Sequence, residues 1–472
     1  MRSVLKTSIL LLAGGWFVTA YANDAVDADN LYIIYQLAVE NDPQMRAARA
    51  ELRSQQEVRN ISRGNLLPQL RLNAGVGRTD TTTETETDDP LSSTLASSES
   101  DSTTASANLS LSQQVFNLNA WYNFKSGSLT SEQAELEFIK QQQELLHRTA
   151  NAYFHVLRAQ NNLSSSVAEE KAMQQQLDQM QQRFDVGLVA VTDVNEARAA
   201  FDMAKVNRIN NEGNLQIAYE GLSLLTGSRH TQLLPLSENF PIDSPEPADM
   251  NQWVEIALAN NPELKAAQKS VQTAEYKAKA SRASHLPVVS LNASYAESRS
   301  EGDRTTLSES GGVITNVTRD FESDTDSKSI SLNLTMPLYS GGTISAQRRQ
   351  AYAQHDMARE KLMGAERQIT QQTRSQYIAV MTNMQRVSAN RQAIVSTRSA
   401  LDAIQAGYDV GTRNIVDVLD AQRNLIAAER DYGNARYEYV ISLLKLKQLA
   451  GNLTPDDLTI LNEWIVADSD QK

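Results

Sequence analysis

Hydrophobic positions along the chain fall into two patterns. In four short segments they alternate with small polar residues. These are Leu70-Arg71-Leu72-Asn73-Ala74-Gly75-Val76, Leu109-Ser110-Leu111-Ser112, Val289-Ser290-Leu291-Asn292-Ala293-Ser294-Tyr295 and Ile330-Ser331-Leu332-Asn333-Leu334-Thr335-Met336. Period two with one apolar and one polar face predicts strands near 66–80, 105–117, 285–300 and 328–340, each lying between two different surroundings. Elsewhere the apolar step is seven: Val418, Leu425, Tyr432, Tyr439 and Leu446, and in an earlier stretch Val194, Phe201, Leu215 and Leu222, with Arg208 as the exception. That step predicts coiled-coil-like helices. No proline lies between Pro90 and Pro235 or between Pro337 and Pro455, so these helices can be very long. A helical path from 118 to 184 would span roughly 100 Å.

The two patterns occur twice. Asn41, Pro43, Ser62, Arg63, Leu67 and Pro68 match Asn260, Pro262, Ser281, Arg282, Leu286 and Pro287, and Asp185-Val186-Gly187 matches Asp409-Val410-Gly411. One structural unit is therefore written in tandem. The expected organisation is an export signal over 1–22, a first repeat over 23–227, a Pro-rich linker over 228–250, a second repeat over 251–451 and a tail over 452–472. The signal reading rests on Arg2 and Lys6, the apolar run Ile9 to Val18 and the small-x-small site Ala20-Tyr21-Ala22.

Between paired strands, residues 80–103 are acidic, rich in Ser and Thr, and without Lys or Arg. Residues 301–325 are similarly polar. Such segments cannot bury a core and are expected to be solvated, mobile loops. Alternating strands with long polar loops on one side are the mark of an outer-membrane barrel. A strand in lipid needs both edges paired, and four strands are too few to close. Copies of the chain must share one barrel. Two copies would give eight strands and three would give twelve; the small polar face (Asn73, Gly75, Ser110, Asn292, Asn333, Thr335) suits a wet lumen and favours three.

Composition narrows the chemistry. With 44 Lys plus Arg against 57 Asp plus Glu, the formal charge is −13, which argues against a nucleic-acid partner. Mean hydropathy is −0.43, too polar for a helical membrane protein. The chain has no cysteine, hence no disulfide or thiolate chemistry. No His lies in a zinc-ligand pattern and no phosphate-cradling loop is present, so no enzyme activity and no cofactor is expected. Phe116, Trp121, Tyr122, Phe124 and Tyr339 lie near strand ends and fit an aromatic girdle or a barrel-to-helix junction equally.

The most specific motifs are two turns, Phe184 to Val194 and Tyr408 to Val418. In each, a Gly stops one helix and another begins a few residues later. Asp193 with Glu196, and Asp417 with Asp420, then share a helix face; helix capping is the plain reading of these acids.

The leader, the duplicated Asn-x-Pro openings, the strand pairs and the two turns resemble the TolC family of outer-membrane efflux channels. The resemblance implies a mainly α homotrimer with a shared twelve-stranded antiparallel barrel, four strands per chain, continued by a long coiled-coil tunnel into the periplasm of a Gram-negative cell. It implies a passive exit duct for drugs, toxins or proteins in efflux or type I secretion, fed by a periplasmic adaptor and an inner-membrane pump of RND, ABC or MFS type. It places gate latches at Thr192, Asp193, Tyr408 and Arg413, and an acidic constriction open to multivalent cation block at Asp417 and Asp420. It places the adaptor contact at Gly187, Leu188, Gly411 and Thr412. Gln405 departs from the pattern, since some relatives carry an acid there. A trimeric adhesin or envelope spacer is the alternative, although it would not need paired turn motifs.

Overall fold

In a computed structural model of the chain, residues 29–89, 92–310 and 313–465 are described. The expected export signal lies outside the described residues. Each repeat has the order short helix, helix, strand, strand, long helix, long helix. The first contains α1 (Leu31–Asn41), α2 (Pro43–Gly64), β1 (Gln69–Asp89), β2 (Ser92–Phe116), α3 (Leu118–Asp185) and α4 (Val191–Thr226). The second contains α5 (Met250–Asn260), α6 (Pro262–Ala283), β3 (Val288–Ser310), β4 (Val313–Thr335), α7 (Thr343–Asp409) and α8 (Ile415–Leu449). A final helix, α9 (Pro455–Asn462), lies in the segment expected to be a tail; its Leu458 and Leu461 are buried.

The Asn-x-Pro openings break each entry helix for a local reason. Proline at the first helical position cannot continue the preceding hydrogen-bond ladder, but its fixed φ suits a new start. The residue before it caps the new helix. Asp42 accepts from the amides of Gln44 and Met45, both at 3.3 Å, and Asn261 accepts from that of Leu264 at 3.2 Å. Asp42 is buried and ion-paired with Arg148 at 2.6 Å. Asn261 is neutral, and its amide donates to the Leu449 carbonyl at 2.8 Å.

The sheet has order β1-β2-β3-β4, antiparallel throughout. One face carries rows such as Leu72, Leu109 and Tyr295, or Leu70, Leu111, Ala293 and Ile330. The other carries hydroxyls and amides: Ser112 donates to Asn292 at 2.9 Å, Ser294 meets Ser329 at 2.8 Å, and Thr104 meets Ser300 at 3.0 Å. Val76, Ile330 and Leu72 are 77%, 75% and 71% exposed, so none of the described residues covers the apolar face there.

The strands run well past the alternating segments, through the residues expected to be loops. Over 80–89, 92–103, 301–310 and 313–325 the ladder continues, leaving short connections at the far end. The polarity that argued against a core does not argue against a ladder. Backbone pairs satisfy one another, and β-branched Thr is favoured in strands even where both faces are wet.

Neighbouring elements fix the lateral order. Above the middle, α2 packs on α3, α3 on α6 and α6 on α7; below it, α4 packs on α3, α3 on α8 and α8 on α7. Around the middle, Tyr153, Phe154, Leu31, Ile34, Tyr439 and Leu446 form the main core with the inter-repeat segment, whose Leu233 and Leu236 bridge to Asp29 and Ile465. The heptad exception Arg208 is filled by charge: its guanidinium meets Glu170 on α3 at 2.6 Å. Among the described residues no helix is long and apolar enough to cross a membrane.

Candidate functional site: the paired helix tips

The α3–α4 and α7–α8 turns share one backbone solution. Gly187 has φ +77° and Gly411 has φ +78°. At the first turn the amide of Leu188 donates to Arg183 O at 2.9 Å and that of Gly187 to Phe184 O at 2.8 Å. At the second, Thr412 donates to Gly407 O at 2.9 Å and Gly411 to Tyr408 O at 3.0 Å. These pairs satisfy the orphan carbonyls of a helix end, and the left-handed residue between them must be Gly to avoid a Cβ clash.

The following helices begin differently. α8 starts with a capping box: Asn414 Oδ1 accepts from the Asp417 amide at 2.9 Å and Asp417 Oδ2 from the Asn414 amide at 3.5 Å. The plain capping reading therefore holds for Asp417, which also lies 3.7 Å from the Arg413 guanidinium. Asp420, one turn on, is ion-paired with Arg423. α4 is preceded by Ala190, whose side chain offers no cap; in its first turn the Thr192 hydroxyl donates to Asp193 at 3.5 Å.

Beneath the turns, Met173, Met180, Val194, Ala197, Ile415 and Val418 form a small apolar core joining both hairpins. Tyr408 closes it. Its hydroxyl donates to Met180 Sδ at 3.2 Å, and the Arg183 guanidinium lies 5.3 Å over its ring. Arg183 also approaches Asp409 at 3.9 Å, and Gln405 donates to the same carboxylate at 3.5 Å. Val186, Leu188 and Val410 are 71%, 74% and 75% exposed, so both turns present bare apolar side chains to solvent.

Within one chain, among the described residues, Tyr408 and Arg413 make these contacts and none with Thr192 or Asp193. Arg183, Met180, Asn414 and Arg423 were not anticipated from the sequence. Two signals for them were present. Asn414 stands three residues before Asp417, the capping-box spacing, and Arg183 occupies the position at which the second turn has Gly407. That glycine makes room, since a Cβ there would sit 2.9 Å from Arg413 Cγ.

A tandem-repeat chain with an incomplete antiparallel sheet, an uncovered apolar sheet face and ~100 Å helices ending in paired tips is a subunit of an envelope channel. The sequence matches the outer membrane efflux protein family model over residues 34–228 and 253–452; the chain belongs to that family. It is 35% identical to outer membrane protein TolC of Vibrio cholerae, covering 93% of this chain and 94% of that one. It is 29% identical to the alkaline protease secretion protein AprF of Pseudomonas aeruginosa, covering 90% and 85%. The fold matches crystal structures of VceC from Vibrio cholerae (TM-score 0.70, 18% identity, 90% and 97% covered) and the Campylobacter jejuni CmeC outer membrane channel (0.69, 16%, 93% and 91%). The protein is thus an outer-membrane channel protein of efflux and secretion type.

Proposed function

We propose that three copies form one duct, gated at the helix tips, that passively conducts substrates delivered by a periplasmic adaptor and an inner-membrane pump. The observation that carries this is the coincidence of unsatisfied edges. β1 and β4 end the sheet. α2 above and α4 below end the helical layer on one side, and α7 ends it on the other along its whole length. α2 leads into β1 and β4 leads into α7, so sheet and helices lack a neighbour on the same two sides. A second copy placed β4 to β1 also places α7 against α2 and α4, and repetition closes a ring. Three copies, with twelve strands, leave an open lumen where two would not.

In that ring Asp417 and Asp420 from every copy face one axis. Their charges are only partly matched by Arg413 and Arg423, and such a constriction attracts multivalent cations. Tyr408 and Arg413 then latch to Thr192 and Asp193 of the neighbouring copy, with Asp417 and the Tyr408 packing as the in-chain alternatives. Exchange between two partner sets is what lets an adaptor shift a closed state to an open one. The exposed apolar turns at Gly187-Leu188 and Gly411-Thr412 fit that adaptor contact. The pump is of RND, ABC or MFS type.

The test is conductance of the purified protein in a planar bilayer. Small, cation-preferring pores blocked by a trivalent cation are expected. Asp417→Ala with Asp420→Ala should weaken that block at least about tenfold, in line with the loss of several close carboxylates. Unchanged block removes the two residues from the constriction.

A further inference from the structure

The two faces of the sheet segregate charge as sharply as they segregate hydrophobicity. Strand register places Asp80, Asp101, Asp303 and Asp320 in one row across all four strands. That row has the parity of the apolar face, as do Glu99, Glu297, Glu301, Glu322, Asp324 and Asp326. Among strand residues with described side chains, no carboxylate takes the opposite parity. The hydroxyl face instead carries Arg71, Arg304 and Arg319. On the proposed duct reading, on which the present inference rests, that face is the lumen.

The arginines of the two faces are held differently. On the apolar-face parity, Arg78 pairs with Asp101, and Arg299 pairs with Glu322 and lies 3.9 Å from Asp324. On the hydroxyl face, Arg304 stands directly opposite Arg319. Their row continues as Ser100 and Thr81. Like charges directly opposite on a strand pair are destabilising, and among strand residues with described side chains no carboxylate shares this pair's face. Phe321 completes the cluster. It stands opposite Gly302, where a Cβ would meet the Asp101 carbonyl at 2.0 Å, and the Arg304 guanidinium lies 5.4 Å over its ring. A groove of about 480 Å³ runs beside these residues, lined also by Thr306, Ser308, Val317 and Asp320. It lies roughly 30 Å along the strand beyond Tyr295, at ~3.3 Å per residue, and so near the outer mouth.

We propose that Arg304, Arg319 and Phe321 form a subsite for small aromatic anions in the lumen near the mouth. Two guanidiniums grip a carboxylate or sulfonate, and the ring of the anion lies on Phe321. Anion binding also relieves the Arg304–Arg319 repulsion. The duct then has opposite signs at its two ends: acidic at the helix tips, basic at the mouth.

The experiment uses the full-length protein in a planar bilayer with naphthalenedisulfonate added on the extracellular side. Concentration-dependent block is expected. Arg304→Gln with Arg319→Gln should raise the blocking concentration by about tenfold or more, and Phe321→Ala by about threefold. Arg304→Lys with Arg319→Lys keeps the charge but not the planar fork and should fall between. Arg78→Gln with Arg299→Gln, on the other face, should change nothing. Sulfate, which has no ring, should block far more weakly. Direct calorimetric titration of the detergent-solubilised trimer should give the same ranking. The subsite is overturned if the Arg304/Arg319 variants block like the parent, if the outer-face variant is affected equally, or if sulfate equals the aromatic probe. Pores that conduct with unaltered block overturn this subsite alone; absence of any pore overturns the duct and the subsite together.

Discussion

Helices α3 and α7 are the same element in two copies, and their surroundings set them apart. They have 68 and 67 residues and end in matching turns. Along α3, Leu145, Tyr153, Phe154, Met173 and others are fully buried, because α2, α4, α6 and α8 surround it. Along α7 only Ile369, Thr373, Val380 and Val387 are buried, while Ile378 and Val395 are 57% and 58% exposed. Their common ancestry survives in a detail: Thr149 and Thr373, 224 residues apart, are both buried with an unpartnered hydroxyl. The difference teaches that one copy of the repeat supplies the interior of the subunit and the other its seam.

Breaking that contrast at the seam should have the largest effect. Ile378→Arg with Val395→Arg places a charge in every contact between α7 and a neighbouring copy, where an unpaired buried charge costs several kcal/mol per site. Light scattering of the detergent-solubilised protein should show single chains, while helix content by circular dichroism stays near the parent value. A trimer that survives the double substitution would mean that α7 faces solvent. The same substitutions in the middle of α3, for instance Leu157→Arg, should abolish folding, because that helix is already enclosed.

A smaller difference concerns protons. His147 on α3 corresponds to Gln371 on α7, which is exposed. Burial, reinforced by the Lys445 ammonium, lowers the His147 pKa to about 4, and its Nε2 has no hydrogen-bond partner. The unfolded chain protonates this imidazole near pH 6.5. Between those values the unfolded state binds more protons, so stability is intact above about 6.5 and falls as the pH drops towards 4. The full loss is about 3 kcal/mol per chain. His147→Gln, which gives α3 the residue found on α7, should flatten the denaturant midpoint over that range. A midpoint that keeps its pH dependence in the variant assigns the loss to other groups.

The sequence made some of this legible and concealed the rest for physical reasons. Alternation at Leu70–Val76 and Val289–Tyr295 marked the strands because one face is apolar, and repetition marked the two tips because Gly187 and Gly411 both need positive φ. The strand ends escaped. From Asp80 and Glu301 onward both faces are polar, so side chains no longer report a ladder held by the backbone. The partition of burial between α3 and α7 escaped because it depends on which elements arrive beside each helix. Arg183 escaped for a related reason. Its partners Tyr408 and Asp409 lie more than two hundred residues away, and only the fold brings them to its side.

The tips offer the finest version of the comparison, because backbone geometry is matched and a single cap differs. Asn414 and Asp417 close α8 reciprocally, whereas α4 has Asp193 at the equivalent third position and only Ala190 at the cap. Loss of an Asn cap costs about 1 kcal/mol, which is about a fivefold change in local opening. Asn414→Ala should therefore speed amide exchange in the first turn of α8 by about that factor, and Ala190→Asn should slow exchange in the first turn of α4, since Asp193 already stands where the second half of the box is needed. The pair of substitutions together should nearly equalise the two tips. Native-state hydrogen exchange with fragment resolution reads all three proteins. If Asn414→Ala leaves α8 protected while Ala190→Asn does nothing for α4, the asymmetry of the tips comes from Arg413 packed over Gly407 and not from the cap; Arg413→Ala should then produce the loss that Asn414→Ala did not.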